Sequence, residues 1–204
     1  MKLKIIGKDG RFGSVIAKIA AKNGNEIVDN GQDYTILAIP SEPTVDYISK
    51  HNENIIEVTS VKEPIKPFRD RIISIHPLFG PMTYEDGIHN ILLFINDISI
   101  RGSIKTIREI FYGYRIVELS AEEHDRKMVE TLVIPYMVAL LSTHIRSDFL
   151  SRSFERFSQL SGIVEGENMD VMLDTIRKNP FSDDALKDVC NKMRGIFNDN
   201  DTNR

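Results

Sequence analysis

The sequence predicts an α/β protein in which a Rossmann-like, mostly parallel sheet domain is followed by an all-helical domain. Two observations support this prediction. Short, continuously apolar runs alternate with helical segments through the first half of the 204-residue chain, as in strands that are covered on both faces. From about Ser103 onwards, apolar residues recur mainly at helical spacing. We therefore expect a sheet domain over 1–119, a helical domain over 120–197 and a disordered polar tail over 198–204.

Composition and charge indicate a globular protein with a core. Hydrophobic residues make up 41% of the chain, and the formal net charge is −4. Nucleic-acid binders usually carry a basic excess, so we expect no nucleic-acid partner. We expect neither a membrane span nor a signal peptide, because no apolar run is long enough. The single cysteine, Cys190, predicts a cytoplasmic protein without an internal disulfide or a bound metal.

The sheet domain begins with strands and helices in alternation, an order typical of parallel sheets with right-handed crossovers. The strands are predicted from apolar runs at 3–7, 25–28, 34–40, 54–61, 71–76, 90–97 and 115–119. The helices are predicted at 11–24, 42–51 and 103–114. In the first helix, Val15, Ile16, Ile19 and Ala20 share one face, and Gly24 is a stop signal.

The helical domain opens with a capping box, in which Ser120 is the N-cap and Glu123 lies three residues further on. Apolar residues then recur at helical spacing as far as Ile145. Pro135 should kink this long helix or break it in two, because proline lacks a backbone N–H. Three further helices are predicted at 148–162, 167–179 and 182–197.

A glycine-rich turn joins the first strand to the first helix. Gly7, Gly10 and Gly13 give the spacing G-x-x-G-x-x-G, and Lys8 stands where the usual G-x-G-x-x-G motif begins. Such glycines allow a tight turn and a close approach of pyrophosphate to a helix N-terminus. The turn, including Arg11 and Phe12, is therefore a candidate dinucleotide site. The alternative is an ordinary βα turn whose glycines serve loop geometry.

The second half of the predicted nucleotide fold is short. Residues 25–33 are too few for the strand, crossover and further strand that a complete dinucleotide fold needs. Asp29 is the obvious carboxylate for a ribose hydroxyl, although a solvated turn aspartate is an equal alternative. No arginine follows the second strand to meet a 2′-phosphate, and Asp29 would repel one. Of NAD and NADP, the sequence therefore favours NAD.

Five segments of the chain resemble prephenate dehydrogenases, in the order in which that family carries them. They are IIGKDGRFG, ILAIPSEPT, EVTSVKEPI, ISIHPLFGPMT and LSAEEHDRKM. The resemblance covers roughly residues 1–180. It implies a nucleotide-binding domain followed by a helical dimerisation domain, and therefore a homodimer. It also implies NAD(P)-dependent oxidative decarboxylation of prephenate to 4-hydroxyphenylpyruvate, in tyrosine biosynthesis.

The resemblance assigns roles to particular residues of the sheet domain. His76 matches the family histidine beside the substrate's ring hydroxyl, where a neutral imidazole suits proton acceptance. Ser60 matches a serine that hydrogen-bonds near the same hydroxyl and the nicotinamide. Lys62, two residues on, is interpreted as a solvated neighbour. Pro40 and Ser41 match the loop that lines the cofactor.

The resemblance is less complete for residues that would hold the substrate from the helical domain. His124 matches a histidine near the substrate pocket, with an exposed helix-start histidine as the alternative. Tyr136 stands where some members carry a further histidine. The nearest candidates for the arginine that holds a substrate carboxylate are Arg152, Arg156 and Arg177, each of which is otherwise a surface residue.

Two other functions are compatible with the sequence. The shortened nucleotide half would suit a non-catalytic relative that binds a nucleotide or a metabolite. A dehydrogenase of the same fold that acts on arogenate or another small acid would carry the same motifs. Ligand binding without turnover distinguishes the first alternative, and substrate profiling distinguishes the second.

Overall fold

The computed structural model describes residues 1–81, 83–85 and 89–198. The chain divides into two compact units, Met1–His124 and Asp125–Arg204. The division lies within the helix that follows the last strand, whereas the sequence places the boundary at 119. Of the predicted polar tail, Asn198 is the last residue of the final helix and the rest lies outside the described residues.

The first unit is built on a single sheet, which contains seven strands among the described residues. They are β1 (Lys2–Ile6), β2 (Glu26–Ile27), β3 (Tyr34–Leu37), β4 (Ile55–Glu57), β5 (Ile72–Pro77), β6 (Ile91–Ile95) and β7 (Arg115–Leu119). Their order across the sheet is β2-β1-β3-β4-β5-β6-β7. Neighbouring strands are parallel except for β5 and β6, which are antiparallel. The predicted mostly parallel sheet is confirmed.

Helices connect several of the strands, and one helix follows the last strand. They are α1 (Arg11–Lys22), α2 (Ser41–Lys50), α3 (Ile104–Ile110) and α4 (Ala121–Met128), with a short 3-10 helix at Glu63–Phe68. Helix α1 buries the predicted face formed by Val15, Ile16, Ile19 and Ala20. It ends at Lys22 with Asn23 as its C-cap, and the following Gly24 has a φ of +80°, which glycine adopts without strain.

A row of buried isoleucines runs across the parallel strands. Ile5, Ile36, Ile56 and Ile73 are successive partners across β1, β3, β4 and β5, and each is at most 4% exposed. Partners in register point to the same face of a sheet, so these four side chains lie side by side on one face. The parallel pairing brings the carboxyl ends of the four strands to one edge of the sheet, where ligands bind in open α/β folds.

The nucleotide half of the sheet is short, as the sequence predicts. Strand β2 pairs with β1 over two residues, and residues 28–33 lead to β3 without a helix or a strand. Within the described residues, no strand lies beyond β2. One crossover and one strand of a complete dinucleotide fold are therefore missing from this side.

The second unit contains helices. They are the end of α4, then α5 (Ile134–His144), α6 (Arg152–Ser158), α7 (Ser161–Gly166), α8 (Met169–Lys178) and α9 (Ser182–Asn198). A π-helical segment, Val129–Val133, separates α4 from α5 directly before Pro135. The predicted interruption is confirmed, because proline clashes with the carbonyl four residues earlier and the turn must widen. The helix predicted at 148–162 is in fact two helices.

None of the described helices combines the length and the apolar character that crossing a membrane requires.

Candidate active site

The candidate cofactor turn lies at the carboxyl end of β1, and its glycines are required by close contacts. Gly7 has a φ of +88°, and a Cβ atom there would lie 2.4 Å from the carbonyl oxygen of Ala38 in the neighbouring strand region. A Cβ atom at Gly13 would lie 1.9 Å from the carbonyl oxygen of Gly7. The backbone N–H of Gly10 donates to that same oxygen at 3.0 Å. The turn therefore packs tightly against the start of α1.

The N-terminus of α1 fits a phosphate group. Gly10 is the N-cap and forms no side-chain capping bond, so no capping side chain covers the first turn of the helix. The backbone N–H groups of a helix N-terminus and its partial positive charge attract anions. Arg11 is exposed at the first helical position. Phe12 is half-buried, with its ring centroid 6.4 Å from that of Phe79.

Lys8 and Asp29 form an ion pair beside this turn. The Lys8 Nζ atom lies 2.7 Å from Asp29 Oδ1, and both side chains are exposed. The hydrogen bond and the opposite charge raise the pKa of Lys8 and lower that of Asp29. The carboxylate that the sequence singles out for a ribose hydroxyl is thus bound to the lysine that replaces a motif glycine.

Two buried histidines are in contact at the end of β5. His76 is 6% exposed and His124, in the first turns of α4, is fully buried. The Nδ1 atom of His76 lies 2.8 Å from Nε2 of His124, so one ring donates a hydrogen bond to the other. His124 is therefore not an exposed helix-start residue.

Both imidazoles are held in the neutral form. Burial is the main cause that lowers the pKa of His76 well below its usual value, and the neighbouring His124 and Lys62 add to it. Burial, aided by Lys62, lowers the pKa of His124 to about 2. The pair thus offers a neutral donor–acceptor arrangement at neutral pH.

A buried ion pair lies beside the histidines, and the sequence interpretation of one member was wrong. Lys62 was expected to be solvated, but it and Glu57 are both fully buried. The Lys62 Nζ atom donates to Glu57 Oε1 at 2.8 Å and to the carbonyl oxygen of Ile75 at 2.8 Å. Glu57 also accepts hydrogen bonds from Thr59 and Ser74.

The other predicted residues of the first unit lie near the same sheet edge. Ser60 is half-buried in the turn that follows β4. Pro40 is the N-cap of α2, and Ser41 is the buried first residue of that helix, directly after β3. The register of the sheet thus brings Ser60, Pro40 and His76 to the ends of three adjacent strands.

The predicted residues of the helical unit have contrasting environments. Tyr136 is 6% exposed in α5, and burial is the main cause that raises its pKa. Arg152 and Arg156 are both exposed on α6, and Arg177 is exposed on α8. Exposed guanidinium groups are accessible to an anionic ligand.

Sequence reasoning missed Glu57 as a member of the site. A signal for it exists, because an ionisable residue stands inside the apolar run NIIEV and a lysine follows five positions later. Charged residues are seldom fully buried without a partner, so a carboxylate in a buried strand implies a nearby cation. Among the described residues, no group of three potential metal ligands comes together.

Solved structures share this architecture over nearly the whole chain. A prephenate dehydrogenase from Aquifex aeolicus, crystallised with NAD+ and hydroxyphenyl propionate, superposes with a TM-score of 0.74 at 14% identity over 99% of this chain and 92% of that chain. This chain therefore shares the fold of that enzyme.

A second structure extends this similarity. An arogenate dehydrogenase from Synechocystis shares the prephenate dehydrogenase fold with a TM-score of 0.67 and 16% identity, over 97% of this chain and 91% of that chain. No family model and no curated protein matches the sequence. The Rossmann-like fold class with a helical second part, which the sequence predicts, is therefore confirmed at the level of structure.

Proposed function

We propose that the protein is an NAD(P)-dependent dehydrogenase that converts prephenate to 4-hydroxyphenylpyruvate by oxidative decarboxylation. The observation that carries the proposal is the neutral, buried imidazole of His76, which lies at the same sheet edge as the glycine turn. The fold shared with prephenate and arogenate dehydrogenases supports it.

The glycine turn suits the pyrophosphate of a nicotinamide dinucleotide. The contacts at Gly7 and Gly13 leave no room for side chains, and the start of α1 carries no capping side chain. The backbone around Gly10 and Phe12 would hold the phosphates, with the exposed Arg11 beside them. Pro40 and Ser41, at the end of β3, would line the cofactor. When bound, the nicotinamide ring supplies the hydride acceptor.

His76 would accept the proton of the substrate's ring hydroxyl. Its Nδ1 atom faces His124, which leaves Nε2 for the substrate. If Nδ1 carries the proton and donates it to His124, Nε2 has a lone pair and can act as the base. His124 would then act through His76 by fixing its tautomer, and Ser60 would orient the same hydroxyl.

The low pKa of His76 makes it a weak base in the free protein. Prephenate carries two carboxylates, and their negative charge near His76 would favour the imidazolium. Proton transfer to His76 is therefore coupled to the binding of the substrate. Loss of carbon dioxide then makes the ring aromatic, and the phenol oxygen takes the proton back from His76.

The carboxylates of the substrate require cationic or hydrogen-bonding partners. The resemblance to prephenate dehydrogenases makes Arg152 and Arg156 the candidate cations for this role, and Tyr136 a candidate hydroxyl donor. The raised pKa of Tyr136 keeps its hydroxyl protonated, and therefore able to donate.

The protein is proposed to act as a cytoplasmic homodimer joined through its helical unit. Large apolar side chains are exposed in that unit, and they include Phe149, Leu150, Ile196 and Phe197 at 86%, 83%, 68% and 76%. Exposed apolar groups of this size favour association. The exposed free thiol of Cys190 suits a reducing compartment. Light scattering of the purified protein tests the dimer.

The decisive experiment is a turnover assay with prephenate and each of NAD+ and NADP+. We expect formation of reduced nicotinamide together with 4-hydroxyphenylpyruvate. His76→Asn should lower kcat by about 10²-fold or more, because it removes the base. The control is His51→Asn, since His51 follows α2 and stacks on Tyr47 with ring centroids 3.9 Å apart. Absence of turnover with both cofactors refutes the proposal.

Two alternatives are each favoured by one observation. Arogenate is an alternative substrate because the arogenate dehydrogenase of Synechocystis shares the fold. Binding without chemistry is favoured by the missing crossover between β2 and β3. The same assay with arogenate distinguishes the first alternative. Calorimetry that detects binding of a dinucleotide or of prephenate without turnover would favour the second.

A further inference from the structure

We infer that the buried ion pair between Glu57 and Lys62 holds Ser60 and His76 in one fixed relation, and that Glu57 and Lys62 are positioning residues. The inference rests on the proposed function for its kinetic consequence. Its structural basis is independent of that function, because it lies in the hydrogen bonds of the buried pair.

Glu57 organises the turn that carries Ser60. One carboxylate oxygen accepts from the backbone N–H of Thr59 at 2.7 Å and from its hydroxyl at 2.6 Å. The Thr59 hydroxyl also lies 3.1 Å from the carbonyl oxygen of Val61. Ser60 is the residue between Thr59 and Val61. Its backbone is therefore closed into a turn by a carboxylate in the strand that precedes it.

Lys62 connects this turn to the strand that carries His76. Its ammonium group donates to the second carboxylate oxygen of Glu57 and to the carbonyl oxygen of Ile75, both at 2.8 Å. Ile75 directly precedes His76 in β5. Ser74, two residues before His76, donates its hydroxyl to the same oxygen of Glu57. One buried pair thus links the turn after β4 to the end of β5.

The ion pair is poorly explained as a source of stability alone. Both charges are fully removed from water, and the loss of hydration commonly offsets the attraction within a buried pair. Apolar residues of similar size would fill the same space at comparable or better stability. What apolar residues lack is a set of directed hydrogen bonds to the two segments that carry Ser60 and His76.

The charge of Lys62 has a second effect on the same site. The ionisable groups around His76 include His124 from α4 and Lys62 at the start of the 3-10 helix, and Glu57 from β4 is bound to Lys62. A positive charge close to an imidazole disfavours its protonation. Removal of the Lys62 charge should therefore make His76 and His124 easier to protonate.

The test uses the double variant Glu57→Gln/Lys62→Met. Glutamine keeps an acceptor for Thr59, and methionine keeps the length of the lysine side chain without its charge. We expect kcat to fall roughly tenfold to hundredfold, because small displacements of reacting groups cost about that much. The KM for the dinucleotide should change little, and the acid limb of the pH profile should move to higher pH.

A matched control is available in the same segment. Lys66→Met removes a lysine that forms an ion pair with Glu63, but this pair is partly exposed to solvent, with side chains 39% and 46% exposed. We expect unchanged kcat and pH profile for Lys66→Met. An unchanged kcat and pH profile in the folded double variant would overturn the inference.

Nuclear magnetic resonance of labelled histidine separates this inference from the proposed function. In the double variant the ring signals of His76 and His124 should shift and titrate at higher pH, and in Lys66→Met they should not. These signals are assigned with His76→Asn and His124→Gln. Unaltered signals in the double variant contradict the inference whether or not the protein turns over prephenate. Absence of turnover in the unmodified protein contradicts the proposed function alone.

If the double variant does not fold, Ser74→Ala provides the same test in milder form. It removes one hydroxyl partner of Glu57 and leaves both charges in place. We expect a twofold to tenfold lower kcat, with shifted His76 signals and an unchanged acid limb, since a single hydrogen bond contributes about 1 kcal/mol. Wild-type kcat together with wild-type His76 signals in this variant would count against the inference.

Discussion

His76 and His124 share a single hydrogen bond, with 2.8 Å between Nδ1 of the first and Nε2 of the second. Each ring has one donor and one acceptor nitrogen in its neutral form, so the hydrogen bond between the rings can form while both are neutral. If both rings were protonated, two donors would face each other in a buried site.

The stability of the protein should fall in acid because of these rings. In the folded protein the pKa values of His76 and His124 lie below the unfolded value of 6.5, so the unfolded state binds protons that the folded state does not bind. The contribution of the two rings to stability is fully present above about pH 6.5 and is lost as the pH falls below that value. The free energy of unfolding should decrease by about 1.4 kcal/mol per pH unit for each ring. Urea denaturation between roughly pH 7 and pH 5 measures it.

The matched variants are His124→Gln and His144→Gln. The first removes one buried ring, so the acid slope should become less steep by about 1.4 kcal/mol per pH unit. His144, the last residue of α5, is exposed to solvent, and its replacement should leave the slope unaltered. Equal slopes in all three proteins would show that the histidine pair does not govern acid stability.

The glycine turn should not tolerate a methyl group at position 13. In Gly13→Ala the new carbon would lie 1.9 Å from the carbonyl oxygen of Gly7, so β1 and α1 must move apart. We expect loss of dinucleotide binding and a destabilisation of about 1–3 kcal/mol, typical of overpacking. Gly162→Ala in α7 is the control, since nothing lies within 4 Å of its Cβ position. Thermal denaturation measures the destabilisation, and a cofactor titration measures the loss of dinucleotide binding.

Asp29 should determine the preference between the two dinucleotides. Asp29→Asn removes a negative charge near the ribose position and releases Lys8 from its ion pair. Binding of NADP+ should improve roughly fivefold relative to NAD+, because a 2′-phosphate is no longer repelled. The gain should shrink at high salt, since both groups are exposed.

A second exposed lysine–aspartate pair provides the control for this effect. Asp46 and Lys50 lie 2.7 Å apart on α2, with side chains about as solvated as those of Lys8 and Asp29. Asp46→Asn should leave the ratio of NADP+ to NAD+ affinity unaltered in calorimetry. Identical ratios in Asp29→Asn and Asp46→Asn would exclude Asp29 from cofactor selection.

The capping box at the start of α4 should contribute measurably to stability. The Ser120 hydroxyl accepts from the backbone N–H of Glu123 at 3.2 Å, and the Glu123 carboxylate accepts from the backbone N–H of Ser120 at 2.9 Å. Ser120→Ala should cost about 1 kcal/mol. Ser49→Ala on α2 is the comparison, because Ser49 is exposed within a helix and should cost little. Thermal denaturation measures the loss of stability in each variant, and equal losses would contradict the prediction.

Much of the secondary structure could be predicted from local patterns. The runs that contain Ile36, Ile56 and Ile73 are apolar without alternation, as strands buried on both faces must be. The capping box at Ser120 and the interruption before Pro135 follow from backbone chemistry that acts within a few residues. Local causes of this kind are readable in a single sequence.

Features that depend on distant partners could not be predicted in this way. Lys62 is buried because Glu57 and the carbonyl of Ile75 surround its ammonium group, and these partners are brought together by the sheet register. Likewise, the contact of His76 with His124 joins residues from β5 and α4. The spacing of residues along the sequence does not predict such contacts.

The shortness of β2 also affects how the sheet meets its surroundings. A long outer strand offers unpaired backbone groups on which another chain can add a strand, and such surfaces drive aggregation. At Glu26–Ile27 the sheet instead stops after a two-residue pairing, and the chain turns away towards the loop that holds Asp29. Because the crossover is missing, the edge of the sheet at β2 is too short for another chain to add a strand and start a fibril.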